Sequence, residues 1–281
     1  RIMEKLAKPG VYKPMIALRM LHKKSEHAYR NYIVQDIEDA IIRTAIAIVL
    51  ANEMEDKLIE NCFGSRRGEQ KVKNRNLTES FSEFAWDRYC KWQEKCVGIF
   101  PLLLITDISS FFDSICHDLL IAVIRDEFGL SARDPLLKLM RNVLTVSHIN
   151  KISDSPCEIR HGITIGLQAN HIFANLYLNK IDHIMNSIPG ISYGRYVDDM
   201  RIFGSHKETM DLALRTLQAR LFELGLNLNG SKTRYAGDKK LLKKLLSDHV
   251  FSYDQSDEKA ESPVTPSAVI DLMDNISKYE R

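Results

Sequence analysis

The stretch Ser192–Phe203, SYGRYVDDMRIF, sets two adjacent carboxylates, Asp198 and Asp199, inside a run that otherwise reads as strand. Aspartate is a poor strand former, and neighbouring side chains on a strand point to opposite faces. Two like charges this close repel unless a cation lies between them or one faces water. The run therefore predicts two short strands meeting at Asp198-Asp199, where a turn frees the pair from strict alternation. Such a pair is either a polar turn with no further meaning or half of a metal site.

Upstream lies IFPLLLITDISSFFDSI, Ile99–Ile115. Its near-continuous apolar run, Leu102 to Thr106, predicts a buried central strand. Asp107 ends that strand, and Asp113 follows after Phe111-Phe112. A strand-end aspartate and a hairpin-tip pair can converge on hard divalent cations, which prefer carboxylate oxygen. Two such ions about 3.5–4 Å apart activate a hydroxyl nucleophile and stabilise a departing pyrophosphate. The plainer alternative is that Asp107 caps the following turn.

Around these runs the pattern is mostly helical. Apolar spacing of three and four residues predicts a helix over Ile33–Cys62. Gly64 to Arg75 reads as a polar loop, and Leu77–Val97 as a helix anchored by Phe81, Phe84, Trp86, Tyr89 and Trp92. Helices are also expected over Asp118–Phe128, Pro135–Val146, Leu167–Ile188, Glu208–Leu224 and Leu241–Leu246, with VSHINKI extended and IRHGITIG a loop punctuated by glycine. LNLNGSKTRY reads as strand and turn, and SDEKAESPVTPSAV as a linker before a last helix. No internal repeat is present. The expected class is α+β, a small antiparallel sheet backed by helices.

The chain has 281 residues, 44% hydrophobic and 27% charged, enough for a sizeable core. No apolar run reaches the roughly 18–20 residues of a membrane helix, so no membrane partner is expected. The start, RIMEKLAKPG, lacks the pattern of a signal peptide and reads as an internal or trimmed start. The five cysteines, Cys62, Cys90, Cys96, Cys116 and Cys157, show no C-x-x-C spacing. They read as reduced thiols of a cytoplasmic protein without structural zinc. A net charge of +2 is too mild to announce a nucleic-acid binder. SRRGEQKVKNR (Ser65–Arg75) and KKLLKK (Lys239–Lys244) are local basic clusters, each of which taken alone reads first as a solvated loop or helix face.

Order and context weigh more than any one element. ITDISSFFDSICHDLL, HGITIGLQANHIFANLYLNKID, YVDD and LGLNLNGSKT follow one another as four motifs, behind YRNYIVQDIEDAIIRTAIAIVL and FGSRRG. In that order they resemble the reverse transcriptases across most of the chain. YVDD alone would be weak, since four residues recur by chance. The resemblance implies a right-hand polymerase core. Fingers, read as helical, would cover residues 1–100 and the palm 101–237, with 238–281 beginning a thumb or C-terminal helical region.

Carried over position by position, Asp107, Asp198 and Asp199 match the catalytic metal-binding aspartates, and Ile108 joins them in the implied metal set. Mg²⁺ is the implied cofactor, as two ions, with Mn²⁺ able to substitute. Phe112 matches the steric gate under the sugar, which implies deoxynucleotide substrates; its plainer role is core packing, which Phe111 is expected to fill. Arg30 matches the fingers arginine that grips the triphosphate, or is a surface charge. Lys232 matches the lysine near the leaving pyrophosphate, or is an exposed turn lysine. Ile165 and Gly166 line the implied nucleotide pocket, and Ile165 stands where many retroelement enzymes carry glutamine. That departure, with ANLYL and Asp182, is closer to the abortive-infection and unknown-group enzymes of bacterial antiphage defence. Some of those make DNA without a template from a protein tyrosine, and others copy an associated RNA. The implied partners are dNTPs, a DNA product that in some members is covalently attached, an associated RNA and further copies of the chain in a homo-oligomer. A priming tyrosine would be Tyr12, Tyr29 or one elsewhere. Two other readings stand: a retron or group II intron-type enzyme, and an inactive palm that only binds nucleic acid.

Overall fold

A computed structural model describes residues 12–67, 85–150, 155–163, 167–238, 240–242 and 245–246. Residues 1–242 form one compact unit and 243–281 a second, of which only 245–246 are described. The linker, the last helix, residues 239, 243 and 244 of the Lys239–Lys244 cluster, and Phe81 and Phe84 lie outside the described residues. So do Ile165 and Gly166.

The first elements are a hairpin, β1 (Leu18–Ser25) and β2 (Ala28–Val34), paired antiparallel from Leu18↔Val34 to Ser25↔Ala28. The helix expected from Ile33 therefore begins later, as α1 (Ile37–Met54). Asp36 marks the boundary, since its carboxylate accepts from the Glu38 N–H at 2.8 Å, satisfying a donor of the first turn. A 3₁₀ turn at Glu55–Lys57 ends it, so the chain from Leu58 to Cys62 is not helical. The chain up to residue 67 thus combines a hairpin with a helix and a 3₁₀ turn, where helix alone was expected.

α2 (Trp86–Ile99) leads into β3 (Leu102–Asp107), buried along its length until Asp107. Burial of each of Leu103, Leu104 and Ile105 is worth about 1.5–3 kcal/mol, which is why this strand is central. α3 (Phe111–Ser114) is one turn, and α4 (His117–Glu127) and α5 (Pro135–Leu144) follow. Asp134 caps α5 through the Leu136 N–H at 2.8 Å, with Pro135 in the first turn, where its missing N–H costs nothing. A hairpin of β4 (Val146–Asn150) and β5 (Ser155–Ile159) precedes α6 (Gln168–Asn186). Then come β6 (Ile191–Tyr196), β7 (Asp199–Gly204), α7 (Lys207–Glu223) and β8 (Arg234–Ala236).

The main sheet has the order β6-β7-β3-β8, every pair antiparallel. α6 is buried on nearly all sides and packs against α1, α4, α7 and β6, so it forms the middle of the core. Among the described residues no helix is long and apolar enough to cross a membrane. Cys62, Cys90, Cys96 and Cys116 are free thiols, and burial pushes the Cys62 thiol up to about 11.

Candidate active site

β6 and β7 join through a two-residue loop, Val197-Asp198, with Tyr196 opposite Asp199. The turn thus sits one residue earlier than expected: Asp198 occupies the loop and Asp199 begins the strand. Val197 has φ +56°, a conformation glycine usually supplies at this loop position and one strained for a β-branched residue.

Register brings the carboxylates together. Asp107, at the end of β3, pairs directly with Asp199 on β7, so both side chains emerge on one face of the sheet. Like charges opposed in this way destabilise a sheet. Each has found a cation: Lys232 donates to Asp107, and Arg201, two residues along the same strand, donates to Asp199. Asp198, in the loop beside them, has its carboxyl raised to about 7 by burial first, then by the charges of Asp107 and Asp199. Burial works against the Lys232 charge. Its hydrogen bond to Asp107 and the three nearby aspartates outweigh that and lift its pKa above the usual lysine value. Lys232 is thus an ion-paired residue, although its side chain is 55% exposed.

The loop that brings Lys232 here is docked on β3. α7 ends at Gly225, φ +71°, the left-handed conformation that closes many helices. The Asn229 N–H donates to the Asp107 carbonyl at 2.7 Å, Ser109 N–H to the Asn227 carbonyl at 2.8 Å, and Thr106 and Thr233 share a hydroxyl bond at 2.8 Å. Ile108 faces Leu228 in this bridge, which uses the carbonyl of Asp107 and the N–H of Ser109 and leaves the backbone groups of Ile108 outside it.

Arg195 and Asp182 tie the hairpin to the core. Both side chains are 0% exposed. The Arg195 guanidinium donates to both Asp182 oxygens at 2.7–2.9 Å, to Asn175 Oδ1 at 2.8 Å and to the Val197 carbonyl at 3.0 Å. Tyr193 donates to the same carboxylate at 2.9 Å. Asn175 in turn donates to the carbonyls of Gly64 and Ser65 at 2.9 and 2.8 Å. A Cβ on Gly64 would stand 2.7 Å from the Val197 nitrogen, so only glycine lets this loop touch the strained turn. Below the hairpin, Phe63, Trp86, Tyr89 and Trp92 pack around Tyr196 and Val197.

Phe111 is buried in the core. Phe112 is half-buried, with its ring edge-on to Phe111 at 5.4 Å and to His171 at 5.1 Å. The Phe112 carbonyl accepts from the Ile163 N–H at 2.8 Å, joining α3 to the segment before α6. Arg30 lies on β2 opposite His22. Tyr12 is 4% exposed and donates its hydroxyl to Asp39, whereas Tyr29 is 61% exposed. Asp113 is exposed on α3. Ser65, His171, Asn175, Arg195 and Arg201 were not foreseen as site residues. The one advance signal was Asp182, a carboxylate on the apolar face of a helix that needs a buried cation.

The donor set suits a hard divalent cation, being carboxylate oxygens, of which those of Asp198 have their pKa raised by burial first and then by the neighbouring charges. Among the described residues no group of three His, Cys, Asp or Glu side chains stands in a metal-holding arrangement. Asp107 and Asp199 are turned to Lys232 and Arg201 instead.

Residues 21–253 match the family model described as reverse transcriptase (RNA-dependent DNA polymerase). No curated protein matches the sequence. Among solved structures, apo telomerase from Candida tropicalis superposes with a TM-score of 0.55 at 13% identity, over 79% of this chain and 44% of that one. A form of it truncated from the C-terminal domain gives 0.55 at 13%, over 80% and 51%. Telomerase from Candida albicans in complex with a TWJ fragment of telomeric RNA gives 0.56 at 13%, over 82% and 42%. The likeness is one of fold, and the chain spans about half the length of these structures.

Proposed function

Because the chain belongs to the reverse transcriptase (RNA-dependent DNA polymerase) family, we propose that it is a nucleotidyltransferase that adds dNTPs to a hydroxyl where the central strands β3 and β7 of the sheet end at Asp107 and Asp199. One observation carries this: the register Asp107↔Asp199, with Asp198 in the adjoining loop, gathers three carboxylates at one place. In this reading Asp107, Asp198 and Asp199, with the carbonyl of Ile108, would hold divalent cations, Mg²⁺ above all. Bound there, the cations supply the charge that makes the hydroxyl nucleophilic and neutralises the leaving pyrophosphate. In the same reading Lys232, which now pairs with Asp107, meets developing negative charge on that leaving group, and Phe112 is the wall beneath the sugar. Arg30, whose backbone lies on the hairpin, would by the resemblance grip the triphosphate, and the resemblance alone gives Ile165 and Gly166 to the nucleotide pocket. The fingers comprise residues 1–100 and the palm 101–237.

The finer assignment is a defence polymerase of the abortive-infection kind, initiating from a tyrosine or an associated RNA. It is supported by the ANLYL run and Asp182. Of the two named tyrosines, Tyr29 has the exposure a primer needs, while the Tyr12 hydroxyl is spent on Asp39 in the core. Full-length protein given Mg²⁺ and each dNTP, with and without an added primer–template, tests both levels. Wild-type protein should incorporate dNTPs, and Asp198→Asn should lower incorporation by about a hundredfold or more. Equal activity in a folded Asp198→Asn protein refutes the palm chemistry. Product that shifts after protease indicates tyrosine initiation, and product that shifts only after ribonuclease indicates RNA. Synthesis that depends wholly on an added primer–template favours a retron or group II intron-type enzyme.

A further inference from the structure

Phe112 is held from behind. Its backbone is fixed by the bond from Ile163, and one side of its ring meets Phe111, itself locked in the core. The remaining side meets the imidazole of His171 at 5.1 Å and 61°. His171 sits on the first turn of α6 and shares a 3.0 Å hydrogen bond between Nδ1 and the Ser65 hydroxyl. Ser65 is in turn fixed by a left-handed backbone, φ +58°, and by Asn175, which binds its carbonyl. Three segments distant in sequence, α3, α6 and the loop at Ser65, therefore meet at one ring. Burial lowers the His171 pKa to about 4, so the imidazole facing Phe112 is neutral at ordinary pH.

We propose that His171, braced by Ser65, is a positioning residue for sugar selection: it blocks the retreat of the Phe112 ring and keeps that ring as a wall against a 2′-hydroxyl. The inference rests on Phe112 acting as the sugar gate. Without the imidazole, a space opens on one side of Phe112. Its side chain then gains another staggered rotamer, and the wall recedes for part of the time. The lost ring contact corresponds to a change of about two- to tenfold in the population of the blocking position. Discrimination should relax by a similar factor. A ring at position 171 restores the contact whether or not it can bond Ser65.

The test compares kcat/KM for dATP and ATP incorporation by the full chain in four variants: Phe112→Ala, His171→Ala, His171→Phe and Ser65→Ala. Circular dichroism and urea midpoints establish that each is folded. Phe112→Ala should raise the ATP/dATP ratio most, and His171→Ala by about two- to tenfold. Ser65→Ala should raise it less, and His171→Phe should hold it near wild type. If Phe112→Ala moves the ratio and His171→Ala does not, the positioning role is wrong while the gate stands. If neither moves it, the gate itself is wrong and the inference falls with it. If His171→Phe relaxes the ratio as much as His171→Ala, the ring contact is not what holds the wall, and the proposal is overturned.

Discussion

Replacing Asp182 by asparagine keeps its shape and removes the charge that balances Arg195. The guanidinium, 0% exposed, would then lie in the core with no counter-ion, and the new amide would set an NH₂ donor against it. At present burial works against the Arg195 charge, and the Asp182 carboxylate, by its charge and its hydrogen bonds, outweighs it and keeps the Arg195 pKa above its ordinary value. Breaking such a buried pair costs about 3–5 kcal/mol. With a urea slope of about 3 kcal/mol/M, the midpoint should fall by about 1–1.7 M. Fluorescence reads the transition directly, since Trp86 and Trp92 pack beside the hairpin that Arg195 supports. A drop of less than about 0.3 M would mean that the pair does not hold the hairpin. The double variant Asp182→Leu/Arg195→Met removes both charges and should recover much of the loss. It should not recover nucleotide incorporation, because the Val197 carbonyl no longer has the donor that fixes the turn carrying Asp198.

Asp198 has its pKa raised from 3.8 to about 7, so the unfolded chain gives up that proton first. Metal-free stability should therefore fall as pH rises from about 4 to about 7 and level off above. Asp198→Asn should flatten that fall and unfold later than wild type in urea at pH 8, while losing incorporation; a variant less stable there contradicts the charge cluster. His117 is buried, donates from Nε2 to the Gly162 carbonyl at 2.7 Å, and has its pKa lowered to about 4 by burial. The unfolded histidine takes up its proton first, so this part of the stability is lost as pH drops from about 6.5 toward 4. Urea midpoints of His117→Gln should depend less on pH in that window, and an unchanged dependence counts against the assignment. Gly64→Ala drives a methyl against the Val197 nitrogen and should cost about 1–3 kcal/mol by overpacking. Incorporation should fall further than the midpoint shift accounts for, and a neutral outcome in both would show that the turn has room to move.

The sheet was legible because its strands obey strong local rules. The apolar run before Asp107 reads as central strand, and alternation on either side of Val197-Asp198 reads as hairpin. The β1–β2 hairpin was not, because its turn at Glu26-His27 carries none of the glycine or asparagine that marks tight turns. Ile33 and Ile37 also continue the helical spacing backwards, while Asp36 was the stop signal that spacing alone overlooked. The three aspartates could be named from sequence order, but their salt partners could not. Arg201 looks like any outward strand residue until its neighbour on the same face is known. His171 and Ser65 are 106 residues apart, and no periodicity links them. Arg195 needed the knowledge that Asp182 lies behind it.

Three unfavourable features coincide at one turn: opposed carboxylates, a valine in the left-handed region, and a buried guanidinium. A two-stranded hairpin is marginal in water even without such burdens, and the left-handed valine alone costs on the order of 1–3 kcal/mol. What offsets them arrives from elsewhere. Asn175 and Asp182 come from α6, Gly64 and Phe63 from the loop after α1, and Trp86, Tyr89 and Trp92 from α2. Each contact also fixes position, because Arg195 spans the Val197 carbonyl and the core carboxylate with one rigid plane. The carboxylate edge is therefore a property of the assembled unit and not of the hairpin that bears two of its three members. Loosening any one support should move Asp198 before it unfolds the sheet, since β7 remains paired on both sides by β6 and β3.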